Sequence, residues 1–398
     1  MFDLLTPEMR TNPFPLYAMM RDQAPLLYLS DIDLWLAFRY DDVKLILGDH
    51  ANFSSEHGRT RTYQGDDVRG LSLISQDPPR HTKLRGLIAK AFTPRAIADL
   101  EPRIRAIAGE LLGRVAERGT MDFIKDFASP LPLIVIAEVL GIPTDRLDDF
   151  KRWSDAIVSN ADAFVTQQEN EEDVRNVDEM LAYFRGVIAD RRQRTGSDLI
   201  SQLIGVELDG ERLSDEDILS FCWLLLIAGN ETTTNLIGNA LLTLMEYPDQ
   251  LAALHKQPEL IGQAIEEALR FRSPAQAMFR VVKQEVVVSG KTMQPGQKVV
   301  ALIGSANRDP ERFADPDRFD ITRDPNPHVA FGQGIHFCIG APLARLEAKV
   351  ALTALLERFE GFRRVDDAGL EPVKGLLIHG VASLPVAFDA RTSTSALA

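Results

Sequence analysis

Apolar side chains recur every three or four residues through most of the chain, which is the spacing of α-helices with one buried face. The clearest run lies in the middle of the chain and consists of Ile218, Phe221, Leu225 and Ala228, with Thr232 next on the same stripe. Ser214 and the acidic residues after it form a typical N-cap and first turn. We therefore predict an unusually long helix from Ser214 toward Tyr247.

The remaining pattern predicts more helices and a smaller number of strands. Helices are predicted over residues 15–22 and 41–47, from Asp77 onward, over 260–271, from 341 to about 360, and through most of 104–206, with breaks at Gly119, Gly141 and Gly196. Alternating apolar and polar positions predict strands at 26–29, at 34–39 and within 275–305. The predicted fold class is mainly α with a smaller β region.

Three stretches show neither the helical nor the strand spacing of apolar residues. Residues 52–75 are polar and contain several glycines, which predicts a long loop. Residues 160–178 are acidic and only weakly apolar, so we expect them to include a mobile connection between two helices. The Ser-, Thr- and Ala-rich residues 392–398 are expected to form a frayed tail.

Composition and charge exclude several classes of protein. The 398 residues could form a large core, and length alone would suggest two or three domains. The balance of 44 Lys and Arg against 58 Asp and Glu gives a net charge of −14, which argues against nucleic acid as the main partner. Two cysteines, Cys222 and Cys338, cannot build a disulfide framework or a cysteine-rich zinc site.

The sequence also gives an expectation about location. Its first residues show neither a signal peptide nor a membrane anchor. The most apolar run, 221–228, is shorter than the roughly 20 residues that span a bilayer. We expect a cytoplasmic protein without a membrane anchor.

The strongest candidate for chemistry is Cys338. Gly332, Gly334 and Gly340 predict a tight loop around it, and an amphipathic helix follows. Amides and the positive dipole end at the start of a helix favour a thiolate, which suits a metal ligand. A lone cysteine can also be a small buried apolar residue. A dinucleotide-binding loop is excluded because Phe337 replaces its third glycine and no βαβ pattern surrounds it.

The pattern Phe-Gly-x-Gly-x-His-x-Cys-x-Gly over residues 331–340 resembles the haem-binding loop of the cytochrome P450 family. The resemblance implies that Cys338 is the axial ligand of a haem iron. It also implies that Phe331, Gly332 and Gly340 shape the loop that surrounds the haem.

A second segment, Ala228-Gly229-Asn230-Glu231-Thr232-Thr233, resembles the part of the family's long helix that passes the oxygen-binding face of the haem. Thr232 would then bond to iron-bound dioxygen or its ordered water, and Glu231 would join a proton relay. The small residues Ala228 and Gly229 would leave room beside the iron. Judged from the residues alone, Thr232 could instead bond to the carbonyl of Ala228, and Glu231 could form an ion pair.

Residues 80–95 are a basic stretch in an acidic chain, which is commonly a solvated helix face. His81 and Arg85 lie four apart and so share a helical face on which both could bind one anion. The resemblance implies that this pair, with Arg280 and His336, neutralises the haem propionates. It also leaves Lys83, Lys90 and Arg95 to dock an acidic electron-transfer protein.

Further positions follow from the resemblance. Glu267 and Arg270, three apart on a helix, would ordinarily form a surface ion pair, but the family pattern implies a buried network completed by Arg318. The substrate pocket is expected to include Leu71, Leu73, Ile74, Ala228, Ala275, Leu377 and Ile378. Residue 379 is His379, where related bacterial sequences often carry arginine.

The resemblance implies one cytochrome P450 domain over residues 1–398, a triangular helical prism with haem b between the long helix and the helix that follows Cys338. The implied activity is monooxygenation by O2, such as hydroxylation of a lipophilic fatty acid, terpenoid, steroid or polyketide-like molecule. Electrons would come from NAD(P)H through a ferredoxin or flavodoxin and its reductase, and the protein is expected to be a monomer. A peroxide-driven peroxygenase and a non-catalytic haem- or ligand-binding protein are the alternatives.

Overall fold

A computed structural model describes residues 6–56, 72–161, 170–365, 369–373 and 377–391. In chain order, its helices are α1 (Pro7–Thr11), α2 (Phe14–Gln23), α3 (Tyr40–Gly48), α4 (Arg80–Ala91), α5 (Pro94–Ala98), α6 (Glu101–Val115), α7 (Pro130–Val139), α8 (Leu147–Ala161), α9 (Glu171–Gln193), α10 (Leu199–Gly205), α11 (Asp215–Glu246), α12 (Pro248–Lys256), α13 (Ile261–Phe271), α14 (Ile303–Ala306) and α15 (Ala341–Arg358). Its strands are β1 (Leu26–Leu29), β2 (Leu34–Ala37), β3 (Phe53–Ser54), β4 (Thr120–Asp122), β5 (Glu207–Leu208), β6 (Glu211–Arg212), β7 (Met278–Val282), β8 (Val286–Val288), β9 (Lys291–Met293), β10 (Lys298–Ala301), β11 (Phe359–Arg364) and β12 (Pro385–Ala390).

The predicted fold class, mainly α with a smaller β region, is confirmed. Helices α2, α3, α13 and α15 end within about two residues of their predicted bounds. Of the three stretches without periodicity, residues 57–71, 162–169 and 392–398 lie outside the described residues. Residues 171–178, part of the stretch expected to include a mobile connection, form the first part of α9.

The long helix α11 begins as the sequence predicts. The Ser214 hydroxyl accepts a hydrogen bond from the amide of Asp217 at 3.1 Å, and the Asp217 carboxylate accepts one from the amide of Ser214 at 3.0 Å. This capping box satisfies amides that an isolated helix start would leave unpaired. α11 then packs against α7, α8, α9, α13 and α15. Because it is surrounded by other helices, its central residues lie deep in the molecule.

The β region consists of small sheets beside the helices. One has five strands in the order β1-β2-β10-β7-β3, in which β10 runs parallel to β2 and antiparallel to β7. Another has three strands in the order β11-β12-β4. Strand β4 lies in a stretch predicted to be mostly helical, and it forms because Met121 pairs with Val386, far along the chain. Such distant pairing leaves little local signal.

The largest hydrophobic core lies among the helices, and two smaller clusters pack at the five-stranded sheet. Helix α15 lies in the large core, where it contacts α6, α11 and α13. Its buried side chains include Leu343, Val350 and Leu355. This packing holds the start of α15, and so the residues just before it, against the middle of the molecule.

Candidate active site

The loop before α15 holds Cys338 in a conformation that requires glycine. Gly332 and Gly334 have φ angles of +76° and +70°, in the left-handed region. A side-chain carbon on Gly334 would also lie 3.0 Å from the backbone of Gly48. The amide of Cys338 donates to the carbonyl of Phe331 at 2.9 Å and closes the loop.

The sulfur of Cys338 is held at the start of α15. The amides of Gly340 and Ala341 hydrogen-bond to it, yet burial raises the pKa of the Cys338 thiol above its usual value. The amides and the charges of Arg85 and Arg345 lower the pKa only in part. The helix start does favour the thiolate, as expected, but desolvation of the charged form outweighs the amides. A metal cation on the sulfur would reverse this balance, since coordination deprotonates a thiol.

Cys338 lines a cavity together with the central part of α11. Phe331, Gly332 and Gly340 line it beside the cysteine, and Ala228, Gly229 and Thr232 line it from α11. Most of the other lining side chains are apolar, including Phe92, Ile136, Leu224, Leu225 and Met278. Of the predicted pocket residues, Leu73, Ile74, Ala228 and Ala275 line this cavity.

The remaining predicted pocket residues are not among the described residues that line the cavity. Leu71 lies outside the described residues. Leu377 and Ile378 do not line the described part of the cavity; Ile378 pairs with Ala275 in an antiparallel bridge, and Leu377 packs on the cluster around Phe38. His379 is buried against Phe14, with ring centroids 5.5 Å apart, and burial lowers the pKa of His379 to about 3. Leu377 and His379, on either side of this bridge, thus pack against residues near the N-terminus.

The acid–threonine pair on α11 is engaged with protein groups. The Thr232 hydroxyl lines the cavity and donates to the carbonyl of Ala228. The carboxylate of Glu231 lies 3.6 Å from the ammonium of Lys151 on α8, and its side chain is 13% exposed. Burial raises the pKa of Glu231, while the Lys151 charge lowers it. Both contacts correspond to the alternatives that the residues alone left open.

Four cationic or ionisable side chains form a cradle beside the cavity. The rings of His81 and His336 lie with centroids 4.3 Å apart. Arg85 donates to the carbonyl of Phe337 at 2.7 Å, and Arg280 donates to that of Phe279 at 2.7 Å. Burial lowers the pKa of Arg280 to about 10, and it lowers the pKa of His336 to about 3. Arg85, Arg280 and His336 also line the cavity.

This cradle fits a buried dianion. Within the described ranges, both ring nitrogens of His81 and Nε2 of His336 are buried without a hydrogen-bond partner. No carboxylate of those ranges pairs with Arg85 or Arg280. Unpaired buried polar groups are costly, and two propionates would satisfy them. The residues therefore fit a haem with its iron at Cys338.

The acid–base pair on α13 is buried, as the resemblance implied. Arg270 contacts Glu267 through two hydrogen bonds of 2.7 and 2.8 Å. The second arginine at Glu267 is Arg323, at 3.2 Å. Arg318, which was expected there, has an exposed side chain and takes part only through its carbonyl, which accepts hydrogen bonds from Arg270 at 3.1 Å and from Arg323 at 3.3 Å. The turn at Asp320, whose amide also donates to Glu267, brings Arg323 rather than Arg318 to the network.

A second ion pair, absent from the sequence expectations, links α13 to the ligand helix. Glu266 accepts two hydrogen bonds of 2.7 Å from Arg345 on α15, and one ring nitrogen of His328 lies 3.1 Å away. Burial raises the pKa of Glu266, but these partners prevail and hold it at about 2. Arg345 also stacks on Phe331, 4.4 Å from the ring centroid. The ligand loop is thus braced from α13.

Glu347 is a further residue that the sequence did not single out. It lies on α15, lines the cavity and is almost fully buried, with Thr233 of α11 as its hydrogen-bonding partner. Burial raises the pKa of Glu347 to about 8. The sequence held one signal for it, because Glu347 lies four residues after Leu343 and three before Val350, on the apolar stripe of α15.

A half-buried cysteine at a helix start, an anion cradle beside it and a helix with small residues across an apolar cavity define a haem-thiolate protein as the class. Comparison with known proteins gives the family. The sequence model of the family "Cytochrome P450" matches residues 17–367 of this chain. The chain therefore belongs to the cytochrome P450 family, whose members carry haem, and it is a cytochrome P450 monooxygenase.

Relatives match along most of their length. Cytochrome P450 107B1 of Saccharopolyspora erythraea is 42% identical over 93% of this chain and 93% of its own. The structure of CYP109E1 from Bacillus megaterium in complex with testosterone has a TM-score of 0.89 at 42% identity, over 96% of this chain and 99% of that one. PksS, a cytochrome P450 of the bacillaene polyketide synthase of Bacillus subtilis, has a TM-score of 0.90 at 37% identity, over 98% and 100%. In the parts of the chain described above, no helix combines the length and apolar character needed to cross a membrane.

Proposed function

We propose that this monooxygenase hydroxylates a neutral lipophilic small molecule with one atom of O2. The observation that carries this proposal is a mainly apolar cavity lined by both Cys338 and Thr232. Cys338, the proposed iron ligand, and the hydroxyl of Thr232, proposed to handle protons, line one space whose other lining side chains are mostly apolar.

In this proposal the cofactor is haem b, held by Cys338 at the iron and by the cradle of His81, Arg85, Arg280 and His336 at the propionates. Phe331, Gly332 and Gly340 pack around it. When bound, the haem supplies the redox chemistry that reduces dioxygen and transfers one oxygen atom to the substrate. Arg345, held by Glu266, keeps Phe331 in place beside the cysteine.

Two residues of α11 handle protons in this scheme. The Thr232 hydroxyl can rotate from the carbonyl of Ala228 toward the cavity that it lines. Glu231 can deliver a proton to this hydroxyl only when its carboxylate leaves Lys151. Because burial raises the pKa of Glu231, the carboxyl takes up a proton more readily than an exposed glutamate does.

The lining supports a neutral substrate over a free fatty acid. Among the described lining residues, the cations are Arg85, Arg280 and, when protonated, His336, and all three belong to the cradle. This leaves no described cation to bind a substrate carboxylate. The steroid in the CYP109E1 complex and the polyketide context of PksS are consistent with steroid-, terpenoid- or polyketide-like substrates.

Electrons are proposed to come from NAD(P)H through a reductase and a ferredoxin or flavodoxin. Helix α4 is the proposed docking element, because Arg85 on it touches the residue that precedes Cys338. We further propose that the protein works in the cytoplasm as a monomeric single domain.

The test of substrate class is a binding and turnover comparison. We expect testosterone, a neutral steroid, to shift the ferric spectrum toward high spin and palmitate to produce no shift. Under 18O2 with a reconstituted electron supply, the bound steroid should gain one labelled oxygen. A shift with palmitate alone would contradict the neutral-substrate proposal, and label from H218O rather than 18O2 would contradict hydroxylation by dioxygen.

A further inference from the structure

The short hairpin β5–β6 lies directly on the proposed docking helix α4. Lys83 of α4 forms an ion pair with Glu211 of β6. Lys90, two turns further along the helix, donates a hydrogen bond of 2.8 Å to the carbonyl of Glu207 at the start of β5. Both lysines that were expected to dock an acidic protein are therefore already engaged within the chain.

The hairpin is seated on the helix by shape as well as charge. A side-chain carbon added to Gly86, between the two lysines, would lie 2.9 Å from a methyl carbon of Leu208. Leu208 thus packs into the space that a side chain at position 86 would otherwise fill. The turn itself, Asp209-Gly210, has φ angles of +53° and +80°, the geometry of a tight two-residue hairpin turn.

The contact is nevertheless weak enough to be replaced. The side chains of Lys83 and Glu211 are 46% and 54% exposed. Exposed pairs of this kind contribute little to stability and are screened by salt. The neighbouring Arg80 differs, because its partner Asp217 also belongs to the capping box of α11 and is 13% exposed. Only the hairpin contacts can therefore give way without disturbing a long buried helix.

We propose that this hairpin is a displaceable acidic cover on α4, and that an acidic [2Fe–2S] ferredoxin displaces it when it docks on Lys83 and Lys90. The inference rests on the proposed function, because it requires electron delivery at α4. The chain is acidic overall, with a net charge of −14, so uncovered lysines on α4 would be a local attraction for an acidic partner. The cover lowers the affinity of the docking surface and makes docking depend on competition between acidic groups.

The test measures binding of an oxidised, acidic plant-type [2Fe–2S] ferredoxin by calorimetry at low ionic strength. Glu211→Gln frees Lys83 and should tighten the dissociation constant by about two- to fivefold, the range expected for one exposed ion pair. Lys83→Gln should weaken binding. In the double variant, which carries both Lys83→Gln and Glu211→Gln, the second change should bring no gain in affinity because Lys83, the lysine that it would free, is absent.

Glu207→Gln is the matched control. It removes the same charge from the same hairpin, but the Glu207 side chain pairs with Arg212, and Lys90 uses the backbone carbonyl instead. Its gain in affinity should be less than half of that of Glu211→Gln. Two outcomes would overturn the proposal that the hairpin covers α4: equal gains in affinity for the two variants, or a gain from Glu211→Gln that is undiminished in the Lys83→Gln background. Either outcome would show that the effect is one of general electrostatics.

A cross-linking experiment tests displacement without using the haem. A zero-length carbodiimide should join Lys83 to Glu211 in the free protein, and saturating ferredoxin should replace most of this product by links from Lys83 to ferredoxin. Persistence of the internal link in the complex would overturn displacement. If no variant binds ferredoxin while the carbon monoxide spectrum is normal, the docking surface fails together with the cover, and the assignment of Cys338 stands.

Discussion

The two walls of the cavity differ in how completely folding alone prepares them. On the cysteine wall, Gly334 fits against Gly48, Cys338 is bonded to Phe331, and Arg345 is clamped by Glu266. On the α11 wall, Thr232 is bonded to the carbonyl of Ala228, and Glu231 is paired with Lys151. These contacts fix the cysteine wall in one arrangement. The α11 wall, in contrast, must break contacts within the protein before its polar groups can reach the cavity.

This difference separates two requirements of the site. A metal ligand must be held in one place, and rigid supporting contacts achieve this. A proton carrier must exchange partners, so an ion pair that opens is compatible with its role. The experiments below test whether the cysteine wall is rigid and whether the α11 wall is the one that works by rearrangement.

The largest effect is expected in the network under the cysteine wall. Glu267→Gln removes one charge from a buried group of ions, and we expect the free energy of unfolding to fall by about 3–5 kcal/mol. The measurement is urea unfolding followed by circular dichroism.

Two arginine variants serve as the comparison for this prediction. Arg323→Gln should also destabilise the protein, because Arg323 contacts Glu267. Arg318→Gln should change stability by less than about 0.5 kcal/mol, since its exposed side chain is outside the network. Similar losses of stability in the Arg318→Gln and Arg323→Gln variants would contradict the assignment of Arg323 to the network around Glu267.

The next effect concerns the α11 wall. Glu231→Gln should slow product formation by about 100-fold, the lower end of the range for a lost proton carrier, while the carbon monoxide spectrum stays unchanged. Asp155→Asn is the control, because Asp155 also contacts Lys151 but is more than half exposed. Turnover in the control should remain within about twofold. Equal losses in the two variants would show that the charge around Lys151 matters, rather than Glu231 as carrier.

A smaller effect tests the shape of the ligand loop. Gly334→Ala puts a side chain at a positive φ and against the backbone of Gly48, and it should lower the free energy of unfolding by about 1–3 kcal/mol. Gly262→Ala, at a position in α13 with open space around it, should instead be neutral or stabilising by up to about 1 kcal/mol. Equal stability of the Gly334 variant and wild type, in urea unfolding, would mean that the loop adapts and is not fixed.

The last effect concerns Glu347, where the two walls meet through Thr233, and it is spread over several pH units. Its ordinary pKa of 4.5 is raised to about 8 by burial, so the folded protein keeps a proton that the unfolded chain has lost between these pH values. Stability from this group is therefore lost as pH rises through that interval, at up to about 1.4 kcal/mol per pH unit. Glu347→Gln should remove this slope. An unchanged pH dependence of unfolding would mean that Glu347 is ionised in the folded protein.

The sequence predicted most of the fold, because long helices with one apolar face leave a strong local pattern. It also identified the residues that meet at the cavity, since Cys338 and the 228–233 segment each lie in a dense local motif. Arg323, the hairpin over α4 and the bridge at Ile378 were not found from the sequence. Each depends on where distant segments meet, which short-range spacing does not encode.

The electrostatics of single buried groups were also out of reach from the sequence. Cys338 lies at a helix start, which favours a thiolate, but its desolvation could be seen only in the folded structure. Glu347 lies on the apolar stripe of α15, but the rise in its pKa depends on how the folded protein buries it beside α11. Local pattern predicts secondary structure well, whereas the electrostatics of a site depend on everything packed around it.

The most direct test of the account is the carbon monoxide difference spectrum of the dithionite-reduced protein, for wild type and Cys338→Ser. The account predicts a strongly red-shifted Soret band in wild type that is lost in the variant. Cys222→Ser, at the other cysteine, should keep the band. A folded, haem-loaded wild type without this band, or a Cys338→Ser variant that retains it, would contradict ligation of the iron by Cys338.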